Sequence, residues 1–155
     1  MSTSPASVQQ FLSGRRFAVA GVSRQTGQAA NAVFRKLKQA GYDVVPVNPH
    51  ASELEGVPCY RSVTAIPHQL DGVVIATAPA VAANVVRQCA DHGVRRVWFH
   101  RSFGNGSVSE DAVRACQEHG ITPIVGGCPL MFCEPVDVGH RCMRWWLQRQ
   151  GRVPA

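Results

Sequence analysis

The sequence has almost no lysine: Lys36 and Lys38 stand alone, so 14 of the 16 basic residues are arginine. It also has no apolar run near the ~20 residues that a bilayer-spanning helix needs, and no membrane association is expected. Its first residues, Met1-Ser2-Thr3-Ser4-Pro5, show neither a charged n-region nor an apolar h-region, which leads to the expectation of a soluble, cytoplasmic protein. A Walker motif, a Ser/His/Asp order and paired carboxylates are missing too, so little catalytic machinery is on offer. Six cysteines are present but without a secretory signal, and they read as buried small hydrophobes or functional thiols, not as a disulfide framework. Cys128, Cys133, Glu134, Asp137, His140 and Cys142 gather ligand types, yet the close cysteine pair of a zinc site is absent and no metal is expected.

What is present describes one compact domain: 155 residues, 45% hydrophobic and 17% charged, with 14 glycines and 10 prolines along the chain. The net charge is +6, and the fork of arginine suits phosphate oxygens. That excess is local. Residues 139–155 hold Arg141, Arg144, Arg149 and Arg152 and no acid, leaving 12 basic against 10 acidic residues, or +2, for residues 1–138. The expected organisation is a Rossmann-type body over residues 1–138, opened by a short helix over 5–13, and a basic C-terminal helix or tail over 139–155.

Apolar segments of period 2 alternate with segments of period 3.6, the pattern of βα repetition and a parallel sheet covered on both faces. Ser4 and Pro5 can start the leading helix, which carries Val8, Phe11 and Leu12 and ends at Gly14. Strands are expected at residues 17–20, 43–47, 72–76, 95–99 and 121–125. Between the first two, a helix carries Ala30, Val33, Phe34 and Leu37 and stops at Gly41. Thr77-Ala78-Pro79 is expected to cap the helix through Val81, Val85, Val86 and Cys89, and Ser107 with Glu110 to form a capping box for the helix before Gly120. Residues 56–60 and 103–106 read as loops. The fold class is therefore α/β, a three-layer, doubly wound, five-stranded, mostly parallel Rossmann-type sheet of order 3-2-1-4-5. Its ligand site is expected beyond the carboxyl ends of the strands, where the winding reverses.

The loop after the first strand is Gly21-Val22-Ser23-Arg24-Gln25-Thr26-Gly27. Gly21 permits a tight turn, N–H groups at the helix start face an anion, and Ser23 and Arg24 add donors, which makes a phosphate cradle. The G-x-G-x-x-G fingerprint is not met, because Ser23 fills the second glycine position. After the second strand an NAD site needs a carboxylate for the ribose hydroxyls, and Asn48-Pro49-His50 stands there instead. NAD is disfavoured, while NADP and coenzyme A, whose riboses carry a phosphate, stay open.

The run from Phe17 to Ser23, then Gly41-Tyr42-Asp43-Val44-Val45-Pro46-Val47-Asn48-Pro49, then Gly56-Val57-Pro58-Cys59-Tyr60 with Ile66-Pro67 and Asp71, resembles the stand-alone CoA-binding domain family. These proteins are similar to the N-terminal CoA-binding domain of the succinyl-CoA ligase alpha subunit. The resemblance covers residues 14–131. It implies that Gly21, Val22, Ser23 and Arg24, with Gly27 closing the loop, meet the CoA phosphates, and that Asn48 and Pro49 flank the adenosine. Ala76, Thr77, Ala78 and Pro79 would lie along the phosphate or pantetheine portion, with His100, Arg101 and Cys128 on the loops after the fourth and fifth strands.

The expected function is CoA or acyl-CoA binding without chemistry of its own. The alternatives left open are a small NADP-dependent or thiol-using enzyme, with Cys128 or His100 as the reactive group, and a regulatory partner subunit with a vestigial ligand site. In the tail, Cys142, Trp145 and Trp146 share one helical face, with Arg141, Arg144 and Gln148 on another. The tryptophan face is expected to pack on the sheet or on a second subunit, which leaves a homodimer open. A nucleic-acid partner is not expected, since no recognition-helix or RNA-binding pattern is present.

Overall fold

The computed structural model describes residues 5–101 and 106–153. Helix α1 (Ala6–Leu12) leads into β1 (Arg16–Ala20), α2 (Ala29–Gln39) and β2 (Asp43–Val47). A short hairpin follows, β3 (Glu53–Leu54) and β4 (Val57–Pro58), joined by Glu55 and Gly56 with φ of 52° and 74°, the paired positive φ of a tight hairpin turn. A 3-10 turn at Val63–Ala65 precedes β5 (Gly72–Ile75), α3 (Pro79–His92), β6 (Arg96–Phe99), α4 (Glu110–Glu118) and β7 (Thr122–Val125). After a second 3-10 turn at Pro129–Met131, α5 (Val138–Arg149) closes the fold.

Alternation along the strands builds the three layers. Phe17 and Val19 of β1, with Val74 and Trp98, face Phe11, Val33, Phe34, Leu37 and Leu147 of α1, α2 and α5. Ala18 and Ala20, with Val73, Ile75, Val97 and Phe99, face Val86, Cys89 and Ala112 of α3 and α4. Each fully buried Val, Leu or Phe contributes about 1.5–3 kcal/mol.

The main sheet runs β2-β1-β5-β6-β7, every pair parallel. The expected order 3-2-1-4-5 is met with a different strand in third place. Residues 57–60 lie outside β2, bridged in parallel at Val47 and Tyr60, with Tyr60 N–H donating to Pro46 O at 3.0 Å and Asn48 N–H to Tyr60 O at 2.9 Å. Residues 72–76, read as third from the sequence, stand next to β1 as fourth. Their side chains explain this: Val73, Val74 and Ile75 are wholly buried on both faces, which an edge place does not provide. The winding reverses between β1 and β5.

Three local expectations change. Ser109, not Ser107, caps α4 by accepting the Ala112 N–H at 3.1 Å, while Ser107 is buried and donates its own N–H to His100 O. Thr77 does not cap α3, whose N-cap is Ala78 with Pro79 in the first helical turn. The tryptophan face of α5 does not pack on the sheet: Trp145 and Trp146 are 57% and 51% exposed. The opposite face turns inward, because Leu147 enters the core and the buried Arg144 guanidinium donates to Met131 O at 3.1 Å while lying over the Phe132 ring. The Ser4 cap and residues 103–105 fall outside the described residues. Among the described residues, no helix is long and apolar enough to cross a membrane.

Candidate functional site

The carboxyl ends of β1, β2 and β5 converge on one cleft of about 380 Å³. Gly21, Asn48, Pro49 and Thr77 line it, as do His50, Arg61, Val81, Asn84, Val85 and Gln88. A larger hollow of about 610 Å³ lies at the opposite edge, around Arg15, Asp43 and Asp71 at the strand starts, away from the place where doubly wound sheets hold ligands.

Gly21 sets the shape of the cleft. Its φ is +106°, its N–H donates to Val47 O at 3.2 Å, and a Cβ there would stand 2.4 Å from the Ala76 carbonyl oxygen. Only glycine lets the β1 loop leave the strand while touching the β5 loop. Val22 is wholly buried, and its carbonyl accepts Asn48 Nδ2–H at 2.8 Å. Asn48 Oδ1 in turn accepts the His50 N–H at 2.8 Å, so this amide fastens the β1 loop to the β2 loop with both ends.

The sequence reading missed the group that holds the cradle. Asn31, fully buried on α2, accepts the Ser23 N–H at 3.1 Å and donates to Ser23 O at 2.8 Å. The same Nδ2 donates to Glu55 Oε1 at 2.7 Å, and Glu55 pairs with Arg35 at 2.8 Å, which also donates to Thr26 O at 3.0 Å. A polar residue on the apolar face of α2, in the run Ala30-Asn31-Ala32-Val33, is the signal that was available. On α3, residues 81, 84, 85 and 88 share a face by helical spacing, and this mixed face forms one wall of the cleft.

Arg24 is exposed beside the cleft and donates from Nη2 to His50 O at 3.1 Å. Gly27 stands in the open, with nothing within 4 Å of a Cβ built on it. Ala76 and Thr77 are half-buried, Ala78 is exposed, and Pro79 begins α3. His100, Arg101 and Cys128 do not line this cleft. His100 donates its N–H to Ile75 O, and burial pulls its imidazole below the usual histidine range. Arg101 bridges Gly127, its N–H donating to the Gly127 carbonyl at 2.9 Å. Cys128 is buried, and desolvation pushes its thiol up to about 12, so it stays protonated at neutral pH.

Comparison with known proteins matches residues 15–134 to the model of a CoA binding domain. An ADP-forming acetate–CoA ligase II of Archaeoglobus fulgidus is 34% identical over 80 residues, which is 50% of this chain and 12% of the ligase. The alpha subunit of an ADP-forming acetate–CoA ligase II of Pyrococcus furiosus is 31% identical over 109 residues, 70% of this chain and 24% of that subunit. The chain thus spans less than a quarter of the length of these two relatives. Among solved structures, a hypothetical protein of Pyrococcus horikoshii superposes with a TM-score of 0.73 at 28% identity, covering 83% of this chain and 92% of that one.

Proposed function

This chain belongs to the CoA-binding domain family, and from that premise we propose that it binds coenzyme A or an acyl-CoA at the carboxyl edge of its sheet. The observation that carries the reading is the cleft at the β1/β5 reversal, which brings the Gly21 turn and Arg61 together with the mixed face of α3 that carries Val81 and Val85. In this reading, Arg24 and the backbone of the 21–27 loop take the phosphates, with Arg61 and His50 on the facing side. Val81, Val85 and Pro49 supply apolar surface for the adenine or the pantetheine arm. Coenzyme A brings a thiol that carries acyl groups, and the chain's own residues bind and orient it. Among the described residues, exposed Arg24 donates to the His50 carbonyl, a contact that a phosphate readily replaces.

A thiol-using enzyme finds less support, because Cys128 is buried and protonated and does not line the cleft. The test is thermal unfolding with coenzyme A and, in parallel, NADP. A hundredfold excess of CoA over its dissociation constant stabilises the fold by about 2.7 kcal/mol. Arg24→Glu removes that gain while leaving the ligand-free melting temperature unchanged. A shift with NADP alone, or with neither ligand at millimolar concentration, overturns the reading. Unchanged CoA affinity in Arg24→Glu overturns the placement of the phosphates.

A further inference from the structure

Helix α5 lies beyond the family match and presents an apolar stripe to solvent. Val138 is 74% exposed, Trp145 57% and Trp146 51%, with exposed Cys142 among them. Positions 138, 142, 145 and 149 follow the 4-3-4 spacing of a coiled-coil seam, with Trp146 beside it. Two neighbouring indoles in water are unusual on a monomer and belong to the residue class that anchors interfaces.

We propose that this stripe is the interface between two copies of the chain, with α5 packed antiparallel on α5 of the second copy about a two-fold axis. The charge distribution selects this occupant. Acidic Glu134 and Asp137 stand before α5, and basic Arg149 and Arg152 stand at or beyond its end. An antiparallel pair sets each basic end on an acidic start and opposes the two helix dipoles, whereas a parallel pair sets like charge on like. With the axis crossing midway along α5, Arg149 comes beside the partner's Asp137. Asp137 is available for this, since 62% of its side chain is exposed although it caps the helix and pairs with His140. A nucleic acid fits less well, because the Arg149 guanidinium, 4.3 Å from the Trp145 ring centroid, already occupies a face on which a base would stack.

The experiment is sedimentation velocity on the full chain from micromolar to submillimolar concentration. A mass of twice 16.8 kDa is expected, falling to 16.8 kDa when Trp145→Glu and Trp146→Glu are combined. Circular dichroism of that variant stays unchanged, because both rings are exposed in one copy. Arg149→Glu raises the dimer dissociation constant roughly tenfold at low salt, and less at high salt. Cys142 is the one exposed cysteine of the six, so a short bis-maleimide joins two chains there, and Cys142→Ser abolishes the cross-link. A monomer at every concentration overturns the proposal, as does a dimer that survives the double tryptophan substitution. It is equally overturned if the chain stays monomeric and uses the tryptophans to bind phosphatidylglycerol vesicles or an oligonucleotide.

Discussion

Gly21 and Ala76 meet so closely across the reversal of the sheet that a methyl group on Gly21 would stand 2.4 Å from the Ala76 carbonyl oxygen. Both loops of the candidate site are set by this approach, and the φ of +106° at Gly21 adds a conformational penalty for any other residue. Gly21→Ala is therefore expected to destabilise the fold by about 2–4 kcal/mol, from strain and overpacking together. Urea denaturation measures the loss. Titration calorimetry with coenzyme A should show weakened binding even where the variant remains folded.

Asn31 holds the cradle from below. Replacing it by alanine removes the acceptor for the Ser23 N–H and the donor to Ser23 O, and leaves Glu55 with Arg35 alone. A loss of about 1–3 kcal/mol is expected from the unpaired buried groups. Hydrogen exchange at the Ser23 amide should accelerate by more than that at the Val19 or Val74 amides in the centre of the sheet. Equal acceleration at all three would show global loosening and remove Asn31 as the holder of the Ser23 cradle.

Thiol reactivity separates a binding protein from a thiol-using one. Burial pushes Cys116 up to about 11 and Cys128 up to about 12, and raises Cys89 further. Only a thiolate attacks a disulfide reagent. One fast equivalent, from exposed Cys142, is expected in the native protein at pH 8, with Cys89, Cys116 and Cys128 reacting only as the chain unfolds. A fast reaction at Cys128 would revive the enzymatic alternative.

The acid limb of stability reports on Asp71. Its carboxylate accepts the N–H groups of Arg15 at 2.7 Å and Arg16 at 2.9 Å, and these bonds hold its pKa below the ordinary 3.8. A carboxyl depressed in the folded state contributes stability above its unfolded pKa, and loses it as pH falls through the folded value. Asp71→Asn is thus expected to lower the melting temperature at pH 7 and to lose less on acidification below pH 4 than the parent does. Parallel melting curves for the two proteins between pH 7 and pH 3 would remove Asp71 from the account.

Much of the fold was legible because its signals are local. The strand at Gly72-Val73-Val74-Ile75 is apolar on both faces, the helix through Val33, Phe34 and Leu37 shows its period, and Gly41 and Gly93 end helices with positive φ. Of the candidate site, Gly21, Asn48, Pro49 and Thr77 were readable and do line the cleft. Arg61, Asn84 and Gln88 were not, since they come from a loop and a helix whose side chains acquire a common direction only after packing. His100 and Cys128 occupy the loops expected of them, yet their side chains are held by burial away from the cleft.

The βα alternation, the polar loops after the strands and the basic, tryptophan-bearing last helix follow from local residue patterns, because each depends on residues within one or two turns of one another. Three features arise from long-range packing. Residues 57–60 lie beside β2 through hydrogen bonds from Asn48 and Tyr60, Asn31 reaches Ser23 and Glu55 at once, and Arg144, by bonding Met131, turns α5 so that its tryptophans face outward. Each joins groups far apart along the chain, or picks one of two helix faces of similar apolar content. A local pattern leaves such choices equal, and the packing of one buried side chain separates them.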